Sequence, residues 1–326
     1  MIGEGLAYVA VAVRDVAAVA LSLERDFLLP RSDYTIGTSQ RQAPVFSVGQ
    51  TALALFELGD PFVGGAEKTG VHHLAVSVDE PARAAAQAVE DGVPALSNQP
   101  EAGLGGASRL LLDPAVTGGV ITYLSEPLTS LHGDAASASK LVERIDHIGV
   151  ASQDNQLTLE VFSQRLGWTV ESTQTDAEIT TTVESFTSDK YGVTYHTRQS
   201  QLAGALRVAF VTIGDCELEF LQDLDQDLDK RSPQRSGTSQ VRHDQPGTTQ
   251  QDQSVIARYI DSRGPGLHHI AFKVGDIDGL LANLEKAGHT LIDTIGRPGG
   301  RRSKIGFIHP ASLGGLLVHL VQREEI

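Results

Sequence analysis

Apolar and polar residues alternate through Gly266-Leu267-His268-His269-Ile270-Ala271-Phe272-Lys273-Val274, which predicts a β-strand with one buried face. Directly after it, Ile277, Leu280, Leu281 and Leu284 fall at helical spacing, and Gly288 is placed to end that helix. The same strand-then-helix pattern occurs at Gly70–Val76 followed by the Ala-rich run Pro81–Val89. It occurs again at Ile145–Val150 followed by Leu157, Val161 and Leu166, and more faintly at Leu6–Val11 followed by Val16, Val19, Ala20, Leu23 and Phe27. Each copy then passes into short β-like runs, the last of them Gln50–Leu58, Gly119–Ser125, Cys216–Leu221 and Leu316–Val321. The first three copies start roughly 60 to 75 residues apart, too far for a stacked solenoid, so the pattern is read as duplication of one module.

The four modules divide the 326 residues into two halves. Residues 1–127 hold modules one and two, 128–140 form a linker rich in Ser, Ala and Gly, and 141–326 hold modules three and four. Within the second half, 223–253 is dense in Asp, Gln, Ser, Thr and Arg and reads as a solvated insertion. A short helical pattern, with Val255, Ile256, Tyr259 and Ile260, then leads into module four. The run Leu6–Leu23 resembles a signal core, but Arg14 and Asp15 interrupt it and no basic stretch precedes it, so strand plus helix is the reading and the cytoplasm the expected location. No uninterrupted apolar run approaches about 18 residues. A net charge of −15 disfavours nucleic acid and anionic membranes as partners, leaving a small-molecule substrate. The single cysteine, Cys216, excludes an internal disulfide or a cysteine-rich zinc site and reads as a core residue.

Aligning the modules exposes the candidate chemistry. The register position on the first strand holds Tyr8, His73, His147 and His269; that on the last strand holds Ala54, Tyr123, Glu219 and His319. Only the second half has a donor at every place: His147, Glu219, His269 and His319. Three imidazoles and a carboxylate suit a divalent transition metal, Fe, Co, Zn, Mn or Ni. A lone strand histidine is more often a hydrogen-bonded core residue than a ligand. Against that, Glu219 and His319 sit in apolar strands, where an unpaired polar group costs about 1–3 kcal/mol. One basic cluster, Arg297, Arg301, Arg302 and Lys304, lies beside these strands. It reads either as a grip for a phosphate or carboxylate or as a solvated turn before the strand Lys304–Ile308.

These segments resemble the vicinal oxygen chelate superfamily, whose βαβββ modules pair into cups with ligands on first and last strands. The likeness to methylmalonyl-CoA epimerases covers roughly Val142–Val321, through Asp146-His147-Ile148-Gly149-Val150-Ala151, Gly214-Asp215-Cys216-Glu217-Leu218-Glu219, Arg263-Gly264-Pro265-Gly266-Leu267-His268-His269-Ile270-Ala271 and Gly314-Gly315-Leu316-Leu317-Val318-His319. The resemblance implies an α+β fold of two such domains, the first degenerate and structural, the second metal-binding and catalytic. It implies metal ligation at 147, 219, 269 and 319, and an epimerase or isomerase moving a proton beside a carbonyl. His319 stands where those epimerases have a catalytic glutamate, and Arg198–Gly204 lacks their other acid. A non-CoA keto substrate such as a keto-cyclitol therefore suits the site better than methylmalonyl-CoA. His319 and Glu219 are the expected catalytic residues, with His268, expected on the opposite face of its strand, and His309 as other bases. Two alternatives stand: an extradiol or hydroxyphenylpyruvate-type Fe(II) dioxygenase, in which Glu219 would fill a position that oxygen needs, and a metal-free binding protein. With fused modules, the expected state is a monomer or homodimer.

Overall fold

The computed structural model describes residues 1–128, 139–180, 183–189, 192–197, 201–224 and 255–323; the linker between 128 and 139 and the polar insertion beyond 224 lie outside them. Each module folds as strand, helix and further strands. The first half runs β1 (Gly5–Val13), α1 (Val16–Arg25), β2 (Arg31–Thr35), β3 (Gln42–Val48), β4 (Thr51–Glu57), β5 (Gly70–Ser77), α2 (Pro81–Glu90), β6 (Glu101–Ala102), β7 (Ser108–Leu111) and β8 (Thr122–Ser125). The second runs β9 (Val142–Ala151), α3 (Asn155–Leu159), β10 (Thr169–Thr180), β11 (Val183–Asp189), β12 (Gly192–Thr197), β13 (Gln201–Ile213), β14 (Cys216–Asp223), α4 (Val255–Arg263), β15 (Gly266–Val274), α5 (Ile277–Lys286), β16 (Arg297–Pro298), β17 (Lys304–Ile308) and β18 (Val318–Gln322).

Helix starts follow from capping: Asp15, Asp154 and Asp276 each accept from backbone N–H groups of the first turn of α1, α3 and α5. Gly288 follows the end of α5 at a φ of 94°, as its placement predicts. The third module departs from the expected helical phase. After α3 the chain makes a π turn over Glu160–Arg165, in which the Leu166 N–H reaches back five residues to the Val161 carbonyl. The shift leaves Leu157, placed by its spacing on the core face, exposed.

The strands form two curled, eight-stranded mixed sheets with the same order of modules, β2-β3-β4-β1-β5-β8-β7-β6 and β10-β13-β14-β9-β15-β18-β17-β16; β11 and β12 pair separately. In each sheet the first strands of two modules pair antiparallel at the centre, β1 with β5 and β9 with β15. Alternation gives every central strand two faces. Val9, Val11 and Val13 of β1 and Ile148 and Val150 of β9 point to the helices, joining Leu23 of α1, Leu281 of α5, Phe162 and Trp168 in one apolar core shared by both halves. Hydrogen bonds cross the join, from Trp168 Nε1 to the Ile2 carbonyl (2.8 Å), from Arg263 to the Thr69 carbonyl (2.7 Å) and between His289 and Asp26 (2.7 Å). The other face of each sheet forms a cup. Among the described residues no helix is long and apolar enough to cross a membrane.

Candidate metal centre

The centre is built where β9 and β15 pair, and the pairing is irregular. Leu267 opposes Val150 and His269 opposes Gly149, so His268 is an extra residue; Ala271 opposes His147 and Phe272 opposes Ile145, so Asp146 is extra as well. Both are β-bulges, which re-aim side chains. Asp146 Oδ1 thereby meets His147 Nδ1 at 2.7 Å, and His268 Nδ1 meets His269 Nδ1 at 3.0 Å. The expectation that His268 faces away is corrected here: regular alternation would turn it outward, and the bulge returns it to its neighbour's ring. Tyr259 of α4 packs edge-on against His268, with centroids 4.7 Å apart.

With Nδ1 occupied, His147 and His269 present Nε2 to the cup. The two Nε2 atoms lie 3.4 Å apart, His319 brings Nδ1 to 3.2 Å from His147 Nε2, and Glu219 Oε2 lies 3.4 and 3.5 Å from the two Nε2 atoms. Bonds of about 2.1 Å set neighbouring ligand atoms about 3.0 Å apart around an octahedron and about 3.4 Å around a tetrahedron. These separations match ligand spacing. The three histidines form the tight group, with donor atoms all within 4.8 Å of one another and every residue buried; Glu219 closes on two of them from β14.

The electrostatics favour a cation. Burial acts to depress His147, but the carboxylates of Glu219 and Asp146 outweigh it and hold the imidazole above its ordinary value. Burial, reinforced by the neighbouring imidazoles, drives His269 and His319 well below theirs; burial, with Asp146 and Glu217 nearby, raises Glu219 above the usual carboxylate range. Asp146 is fully buried, with Arg323 as a second partner, and its carboxyl stays ionised below the usual range despite burial, through His147 and Arg323. Gly149 completes the cradle: a Cβ there would lie 2.1 Å from His269 Cε1, so only glycine lets that ring cross β9. Asp146 and Gly149 are site residues that alternation did not single out, although the doublets Asp146-His147 and His268-His269 carry the signal.

The basic cluster is mostly neutralised. Arg301 clamps Glu217 (2.6 and 3.1 Å) and Glu171 (2.7 Å) with its guanidinium 3.5 Å over the Phe210 ring, Lys304 pairs with Asp278, and Arg297 Nε reaches Asp293 at 3.1 Å. Arg302 is exposed on the turn. A cleft of about 370 Å³ opens at this edge, lined in part by Arg302, Lys304 and Arg323, and touches none of the imidazoles. His309 lies outside the cup, where its Nδ1 caps the 3₁₀ turn Pro310–Leu313 by accepting from the Ala311 N–H. The first cup repeats both bulges, at Ala7 and His72, but is filled. The Arg109 guanidinium sits 3.8 Å from the Phe62 ring and 4.1 Å from that of Tyr123, and Phe56 stacks on Phe62.

Fold and site define an α+β protein of paired βαβββ modules with a donor cluster in one cup. Residues 146–307 match the Glyoxalase/Bleomycin resistance protein/Dioxygenase superfamily. Uncharacterized protein YqjC of Bacillus subtilis (strain 168) is 26% identical over 181 residues, which make up 56% of this chain and 93% of that protein. A mutant 4-hydroxymandelate synthase from Streptomyces coelicolor superposes over 99% of this chain and 94% of its own, with a TM-score of 0.59 and 16% identity, so the two folds share the two-cup arrangement of both halves. Methylmalonyl-CoA epimerase from Mycobacterium tuberculosis aligns with 60% of this chain and 95% of its own, at 24% identity and a TM-score of 0.39.

Proposed function

We propose that this protein is a metal-dependent epimerase or isomerase that moves a proton at the carbon beside a carbonyl, with the second half catalytic and residues 1–127 structural. The observation that carries the reading is the convergence of His147, His269 and His319 inside one cup, with Glu219 set against two of them, while the other cup is filled. These four residues would hold a divalent ion, Fe, Co, Zn, Mn or Ni. Bound there, the ion acts as a Lewis acid that acidifies the carbon beside a carbonyl.

The chain's own residues do the rest. Asp146 and His268 hold the His147 and His269 rings with Nε2 facing the cup. Phe210 and Phe307 line it against water, Phe307 stacked on His319 with centroids 4.3 Å apart. Glu219 and His319 are the residues assigned to proton transfer, both set against the His147 ring at the centre of the cup. The metal-dependent Fe(II) dioxygenase is the second reading, favoured by the full-length fold match to 4-hydroxymandelate synthase. Four protein donors weigh against it, because Glu219 takes a position that oxygen would need.

The test is incubation in D₂O with 2-acyl-CoA thioesters and keto-cyclitols under an oxygen electrode. Deuterium entering the carbon beside the carbonyl without oxygen uptake is the expected result. Substrate-dependent oxygen consumption would replace this reading with the dioxygenase.

A further inference from the structure

Resting on the metal-centre reading above, we propose that Arg297 makes an anion subsite beside the donor cluster of the second cup. The substrate is then a short organic anion, with a chelating oxygen pair at one end and a carboxylate or phosphoryl group at the other. Of the four basic residues at this edge, Arg297 alone has a buried donor without an acceptor. It stands on β16 opposite Ile305, which packs on the cup face with Ala271, Val321 and Phe307. Asp293 fixes the guanidinium, accepting from Arg297 Nε through Oδ1 and from the Phe307 N–H through Oδ2. Arg297 Nη1 is buried and has no hydrogen-bond partner. Such a donor costs about 1–3 kcal/mol unless something accepts from it.

Arg297 stands close to the donor cluster: its guanidinium carbon lies 5.7 Å from the Phe307 centroid, and Phe307 stacks on His319. A buried cationic donor calls for negatively charged oxygen, and charge-assisted hydrogen bonds to such an acceptor are the strong kind. Because a single ring separates guanidinium from imidazole, the anion and the chelating oxygens belong to one small molecule. The exposed cleft beside Arg302 and Lys304 is not needed for it.

The test uses full-length protein loaded with Co(II) and titrated calorimetrically with 2-oxoglutarate, phosphonopyruvate and 2-oxovalerate, which share a chelating 2-oxo acid head. The two doubly anionic probes are expected to bind roughly tenfold or more tightly than 2-oxovalerate; whichever of them binds tighter tells carboxylate from phosphoryl. Arg297→Gln should erase the preference and Arg297→Lys keep part of it, with Co(II) affinity unchanged in both. Normal Co(II) loading with no preference, or a preference surviving in Arg297→Gln, would overturn the anion subsite alone. Failure of the wild-type protein to take up Co(II) would overturn the metal centre and this inference together.

Discussion

At the scale of single residues, His269 and His73 occupy the same place in two copies of one module, and their neighbours decide what each can do. His73 is fully buried, its Nε2 has no partner, and Tyr8, Phe62 and Tyr123 surround the ring. Where β9 has Gly149 opposite His269, β1 has Ala10 opposite His73. Gly149→Ala would therefore push the His269 ring off its line, and we expect metal affinity to fall by roughly ten- to a hundredfold in a competition titration while the fold survives. Asp146→Ala should cost a similar roughly ten- to hundredfold factor, because it frees His147 Nδ1, and Asp146→Asn, which keeps an acceptor, should cost less. Equal losses in the alanine and asparagine variants would contradict the orienting role. The four candidate donors were picked out in the sequence by register alone. Asp146, Gly149 and His268 were not, because strict period-two alternation sends a neighbour of an inward residue outward, and the two bulges break that period.

At the scale of elements, the bulged His-His doublets make a pH-sensitive feature. Burial holds His72 and His268 at about 4, well below the ordinary 6.5. Between those values the unfolded chain binds protons that the native state refuses, so stability is complete above about 6.5 and is lost as pH falls toward 4. Urea midpoints should thus drop between pH 7 and pH 5, and His72→Gln should flatten the drop; a midpoint rising on acidification would contradict the sign. The β16–β17 turn tells a different story. Arg301 and Arg302 both adopt left-handed backbone, at φ of 53° and 55°. For Arg301 the conformation comes with the clamp on Glu217 and Glu171, whereas Arg302 is exposed, so Arg302→Gly should stabilise by about 0.5–1 kcal/mol in urea melts. Helices and most strands were legible, since capping aspartates and apolar spacing agree; β17 covers the expected Lys304–Ile308. The π turn after α3 was not, because nothing in the apolar spacing marks a one-residue slip.

At the scale of the whole molecule, one apolar core runs through both halves. Equilibrium urea unfolding should accordingly be a single transition, coincident by Trp168 fluorescence and far-UV circular dichroism, since the halves cannot separate without exposing shared core. Two resolved transitions would show the halves to be independent. Module duplication was legible from the repeated strand-then-helix pattern. Which faces meet was not, because the pattern marks each strand's two sides without saying that the helix-side faces of both sheets merge. Nor does it say that Arg109 fills one cup with a cation of the chain's own.

The two cups are expected to differ in one property above all: the second holds a metal and the first holds none. Metal per chain, measured by elemental analysis after Co(II) or Zn(II) loading and desalting, tests this most directly in the wild type, His269→Ala and His73→Ala. The prediction is near-stoichiometric metal in the wild type and His73→Ala, and little in His269→Ala. Retention in His269→Ala, or equal loss in both variants, would contradict it.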